Sequence, residues 1–153
     1  DTLFANQYLA YETLSKPYQQ FLSGLKGVNI AGNPAAVATR VARIKDAGTG
    51  KREDELEAVH PVIRTHPETG RKALYVNCAH TAKSEGMTAE ESKPILQYLH
   101  QHQTHPEFCC RLGWGKGSLT VWDNRCAQHN AINDYHGQRR VMHRINLQGD
   151  RPS

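Results

Sequence analysis

Two apolar alternating runs, at residues 59–65 and 72–76, flank the sequence His66-Pro67-Glu68-Thr69-Gly70. Period-two alternation on both sides of a Pro/Gly turn predicts a β-hairpin. That hairpin constrains the fold most, because a sheet has to be built around it. Further strands are predicted at 28–30, 108–112, 118–123 and 139–147, with Gly113-Trp114-Gly115-Lys116-Gly117 as a turn. Helices are predicted at 8–14, after Ser15 with Pro17 in the first turn, and from Thr88 to about Gln103. Thr88 and Glu91 form a capping box for the last of these, with Ile95, Leu96 and Leu99 as its apolar stripe. Pro94 inside that stretch predicts a bend or a late start. Residues 34–45 predict a cationic amphipathic helix. Residues 46–57, charged and glycine-bearing, read as a solvated loop or as a mobile lid over a site. Short antiparallel strands with flanking helices predict a mainly β fold, a jelly-roll-like sandwich or barrel.

The chain has 153 residues, which is one domain at most. Its hydrophobic fraction of 38% and mean hydropathy of −0.68 are low for a self-sufficient domain and suit a piece of a larger fold. The net charge of +4 is spread along the chain, with no stripe of interleaved basic and aromatic residues. A site for small anions accounts for that surplus better than nucleic acid does. Cys78, Cys109, Cys110 and Cys126 form no secreted disulfide pattern, so reduced thiols and a cytoplasmic location are expected. No apolar run approaches the ~18 residues of a membrane span, and no signal peptide is visible.

Chemistry concentrates late in the sequence. Trp122-Asp123-Asn124-Arg125 precedes His129, Arg140 follows His129 by eleven residues, and Arg144 follows Arg140 by four. A histidine is a neutral metal ligand, and two permanent cations beside it imply bound anions. Guanidinium stays charged and grips a carboxylate or sulfonate with two parallel hydrogen bonds. On the predicted strand both arginines would face one way, ~13 Å apart, with His143 on the opposite face. The bland reading is two surface arginines. Cys126 and His129 also form a Cys-x-x-His pair that could join Cys109 and Cys110 around zinc, but no second pair has ligand-like spacing. Trp114 and Trp122 are expected to pack in a turn and in the core.

These residues resemble the C-terminal motif of the iron(II)- and 2-oxoglutarate-dependent dioxygenases of the taurine dioxygenase family, which includes aryloxyalkanoate dioxygenases. Residues 60–67 and 70–77 resemble that family's central hairpin, and Asp1-Thr2-Leu3 resembles the end of its Gly-Gly-Asp-Thr segment. The resemblance runs nearly end to end and implies a double-stranded β-helix, incomplete in this sequence. It implies that His129 is the distal histidine of the iron triad. Arg140 would pair with the far carboxylate of 2-oxoglutarate beside the Thr2 hydroxyl. Arg144 would hold the acidic group of the primary substrate, and His80 would line the substrate pocket. Two histidines and a carboxylate leave three iron positions open, for the 2-oxoacid chelate and dioxygen.

One departure is serious. The other two iron ligands belong to a His-x-Asp motif upstream of the Gly-Gly-Asp-Thr segment, and no His-x-Asp occurs in this sequence. His136 and His143 are not placed to replace them. The expectation is that residues 1–153 are the C-terminal portion of a longer jelly-roll dioxygenase that hydroxylates a small anionic organic acid. An alkylsulfonate such as taurine, an alkyl sulfate and an aryloxyalkanoate all carry the required anion. The rival expectation is a non-catalytic fragment or binding protein on the same fold. Oligomeric state is left open, with a homo-oligomer compatible.

Overall fold

The computed structural model describes residues 1–30 and 57–153. The expected hairpin is present. Strands β4 (Ile63–Thr65) and β5 (Lys72–Leu74) pair antiparallel, with Ile63 opposite Leu74 and Thr65 opposite Lys72. The turn closes through His66 N–H to the Arg71 carbonyl (2.8 Å) and Gly70 N–H to the His66 carbonyl (2.9 Å). Gly70 has a φ of 68°, a conformation that favours glycine.

The first limb is not one strand. β3 (Glu57–Pro61) pairs with β2 (Lys26–Ile30), and β4 pairs with β5. The chain changes sheets at buried Val62, whose N–H turns to the Leu25 carbonyl. Pro61 has no N–H to carry a ladder onward. β2 also pairs with β6 (Thr81–Ser84), with a register shift between Val28 and Asn29. A Cβ at Gly27 would come within 2.9 Å of Thr81 Cγ2, so this crossing requires glycine.

The third sheet has the order β7 (Cys109–Leu112), β1 (Thr2–Asn6), β8 (Ala127–Ala131), antiparallel throughout. Phe4 lies opposite both Cys110 and His129. β1, β6 and β8 are not among the expected strands, and His129 stands on β8.

Two expected strands are absent. Residues 118–123 and 139–147 form no ladder, and Leu119, Val121, Ile145 and Leu147 are almost fully exposed. Alternation makes a strand only when a neighbour accepts and donates the ladder bonds, and none of the described residues does so here. The shared strand face of Arg140 and Arg144, and the opposite placement of His143, fall with that strand.

α1 (Gln7–Glu12) is capped by the Asn6 side chain, which accepts from the N–H groups of Tyr8 and Leu9. α2 (Lys16–Ser23) carries Pro17 in its first turn, where no N–H is missed. α3 (Ala89–His102) starts on its capping box, with both Thr88 and Glu91 bonds formed. It does not start late. Pro94 sits inside it on the exposed side, where water can serve the freed carbonyl. Ser92 on α3 accepts from Ser84 N–H (3.0 Å) and donates to the Thr88 carbonyl, tying the helix to β6. Ala10, Leu14, Leu22, Val62, Leu74, Val76, Leu96 and Leu99 make the core between these helices and the hairpin.

The architecture is mainly sheet with a few helices, and the described sheets do not close into a barrel. The helix expected at 34–45 lies outside the described residues. So does the loop expected at 46–57, apart from Glu57, which opens β3. Among the described residues no helix is long and apolar enough to cross a membrane.

Candidate functional site

A cleft of about 380 Å³ opens between β8 and the chain leaving β5. Its polar wall includes Gln7, Asn29, His60, Asn77, His80 and His129, and Leu74, Tyr75 and Val76 add an apolar side. Thr81 Oγ1 donates to Asn29 Oδ1 (2.7 Å) and accepts from Asn77 N–H (2.9 Å), which fixes one rim. Gln128 Nε2 donates to the Val76 carbonyl (2.6 Å) and joins the two walls. Two buried atoms of lining residues have no partner among the described residues: Gln7 Oε1 and His60 Nδ1. Burial, then Arg151 and Arg64, push the His60 pKa below the ordinary imidazole value.

His129 is held by aromatic rings. Phe4 faces it across the ladder with ring centroids 6.2 Å apart, and Trp122 lies 5.0 Å away at 59°. Phe4 and Trp122 meet edge to face at 5.2 Å. These rings take water from the imidazole, and the Arg144 cation adds to the effect, so the His129 pKa is lowered. One side of the residue stays open to solvent. An imidazole kept neutral with an open side is what a metal requires of a ligand.

The turn that launches β8 is locked to the hairpin. Arg125 Nε and Nη2 bind the Asp123 carboxylate at 2.7–3.0 Å, and the Arg125 N–H adds a bond of 2.8 Å. This grip, with the His66 bond, holds the Asp123 carboxyl well below the usual carboxylate range. Arg125 Nη1 reaches Glu68 at 2.9 Å. Buried His66 accepts the N–H groups of Glu68 and Thr69 at Nδ1, so its proton sits on Nε2 and is donated to Asp123 (3.0 Å). The Asp123 carbonyl accepts from the N–H groups of Cys126 and Ala127, and strand β8 starts there.

His66, Asp123 and Cys126 are the one group among the described residues with metal-like spacing, their ligand atoms lying within 4.8 Å of one another. Both His66 nitrogens are already committed, so this group is a structural lock. The Cys-x-x-His zinc pairing does not assemble: His129 is not in this group, and neither Cys109 nor Cys110 joins it.

The expected site residues are not all gathered in the cleft. His129 and His80 line it. Thr2 is buried on β1, and its hydroxyl accepts from Trp114 Nε1 (2.9 Å). Thr2 shares a face of β1 with Phe4, which stands opposite His129, about 7 Å along the strand. Arg140 does not line the cleft and lies over the Tyr135 ring at 5.3 Å. Arg144 is exposed outside the cleft lining, yet its charge reaches His129. Trp122, expected as core packing, is only half-buried and lies on His129. Gln7 and Asn29 carried no sequence signal, because only the tertiary packing of α1 and β2 brings them to the cleft beside β8.

The family described as "Taurine catabolism dioxygenase TauD, TfdA family" matches residues 1–146. An alpha-ketoglutarate-dependent dioxygenase, cnsM, of Penicillium expansum is 36% identical over 149 residues, covering 95% of this chain and 40% of the relative. An alpha-ketoglutarate-dependent sulfonate dioxygenase of Saccharomyces cerevisiae is 34% identical over 154 residues, covering 99% of this chain and 36% of the relative. The crystal structure of a taurine dioxygenase from Burkholderia xenovorans superposes with a TM-score of 0.68 at 37% identity, over 84% of this chain and 39% of that one. The chain thus spans about two fifths of the length of these proteins.

Proposed function

This chain belongs to the taurine catabolism dioxygenase TauD, TfdA family, and on that premise we propose that the intact protein is an iron(II)- and 2-oxoglutarate-dependent dioxygenase acting on a small anionic organic acid. The observation that carries this reading is His129, an imidazole on β8 at the edge of a cleft, packed beside Phe4 and Trp122 with one side open. His129 serves as one iron ligand, and two further ligands come from outside the described residues. When bound, iron(II) with 2-oxoglutarate and dioxygen supplies the oxidising chemistry that hydroxylates an unactivated C–H bond.

The chain's own residues bind and orient. Arg140, with the Thr2 hydroxyl, takes the far carboxylate of 2-oxoglutarate. Thr2 keeps a proton to donate, since Trp114 uses its oxygen only as an acceptor. Arg144 takes the acidic group of the substrate, with His80 on the pocket wall. The cation's influence on His129 supports that placement. Both arginines reach these roles by moving onto bound anions, since neither lines the cleft. Holding the reacting C–H bond at a fixed distance from the metal is the protein's main contribution to rate.

The sulfonate and taurine named for relatives support a sulfonate as the leading substrate, with a sulfate ester and an aryloxyalkanoate as competitors. The three sheets complete a double-stranded β-helix with strands from the rest of the protein. The four free thiols suit a reducing, cytoplasmic location.

Anaerobic titration of the intact protein with iron(II) and 2-oxoglutarate is expected to give the weak visible charge-transfer band of the chelate. Sulfite release from taurine, set against phenol release from phenoxyacetate, then selects the substrate. Intact protein without the band and without turnover of either compound would refute the assignment.

A further inference from the structure

The residues of Trp122-Asp123-Asn124-Arg125 pair among themselves, Trp122 with Asn124 and Asp123 with Arg125, and Trp122 lies on His129. Trp122 lies on the imidazole, its indole N–H donates to Asn124 Oδ1 (3.0 Å), and Asp123 is gripped by His66 and Arg125. Arg125 in turn holds Glu68 on the hairpin turn. His129 makes no hydrogen bond through its ring to any described residue, so packing is what fixes the ring plane. We propose that Trp122 and Asp123 are positioning residues: Asp123 anchors the turn to the hairpin and thereby holds Trp122 against His129, setting the imidazole before the metal arrives.

Three observations carry the proposal. The anchor is built for rigidity, since the Asp123 carboxylate receives bonds from both Arg125 and buried His66 and its carbonyl receives the first N–H groups leading into β8. The hairpin turn it is tied to is fixed independently, through Tyr8 to Thr69 (3.2 Å) and Arg71 to Glu12 (2.6 Å). The imidazole itself lacks another tether on the described side. Residues that orient a ligand from outside the coordination sphere govern metal affinity by 10–100-fold, as an order of magnitude.

The proposal rests on His129 being an iron ligand, and the test separates the two ideas. In the intact protein, iron(II) affinity is measured anaerobically by chelator competition for Trp122→Leu, Asp123→Asn and the double variant. Each single change is expected to weaken affinity about 10–100-fold. The double variant is expected to be no weaker than the worse single, because the two residues act in series. Lys26→Gln, which opens the exposed pair with Glu85 away from this turn, is expected to leave affinity unchanged. Affinity unchanged in the singles, or losses that multiply in the double, would overturn the proposal. Should Asp123→Asn fail to fold, Asn124→Leu decides: Asn124 is exposed, and freeing the indole is expected to weaken iron binding a few-fold. A second readout needs no metal. In iron-free protein, NMR contacts between the Trp122 indole and the His129 ring are expected in the wild type and lost in Asp123→Asn. Their retention in that variant overturns the positioning role, whereas absent iron affinity in the wild type overturns only the ligand assignment of His129.

Discussion

Gln128 donates from Nε2 to the carbonyl of Val76 at 2.6 Å and so bridges β8 and the chain leaving the hairpin. Val76 is 1% exposed, so its carbonyl has no water to fall back on. Gln128→Leu leaves that acceptor unpaired. Denaturant unfolding is expected to show a loss of about 1–3 kcal/mol, the usual cost of orphaning a buried polar group. An unchanged midpoint would show that the bridge contributes nothing to stability.

The core makes a second prediction. Leu99 is fully buried on α3, against the hairpin and the two short helices. Leu99→Ala removes that packing and leaves a cavity, and the expected cost is about 2–5 kcal/mol. The same unfolding measurement reads it.

Acid sensitivity follows from His100. Burial lowers its pKa, and its Nε2 has no partner among the described residues. The unfolded chain therefore takes up this proton at a higher pH than the folded protein does. Stability is complete above the ordinary imidazole value and is lost as pH falls through the lowered folded value. His100→Gln should flatten stability against pH in that window. A curve that keeps its slope in the variant would assign the effect to another group.

The division of labour proposed for the two arginines is testable in the intact protein. Arg140→Ala should mainly raise the Michaelis constant for 2-oxoglutarate, and Arg144→Ala that for the primary substrate. Each loss is expected to be about 2–5 kcal/mol once the bound anion has excluded water from the contact. Equal increases in both constants for both variants would show that the roles are not divided.

What the sequence made legible was local. The hairpin turn and the Thr88–Glu91 capping box are chemistry written within a few residues, and both form where expected. Ala127-Gln128-His129-Asn130-Ala131 has almost no apolar alternation, yet it is a strand because β1 supplies its ladder. Residues 139–147 alternate well and form none, because no described neighbour does the same for them. His129 and His80, singled out through the family resemblance, line one cleft. Its neighbours Gln7, Asn29 and Phe4 were not legible, since Phe4 is placed by strand register and the other two by the packing of α1 and β2. Trp122 was read as core because its sequence context does not show which ring it touches.

The pairing of β1 with β8 also has a kinetic side. Phe4 and His129 come from opposite ends of this sequence, so their sheet forms only by closing a very long loop. The β4–β5 hairpin needs only a short turn, and such local elements form fast. Sheets dominated by distant contacts form slowly. During synthesis the hairpin and the helices packed on it can settle first, while β1 waits with an open edge for β8 to emerge. Placement of His129 on its strand is therefore among the last events in the folding of residues 1–153.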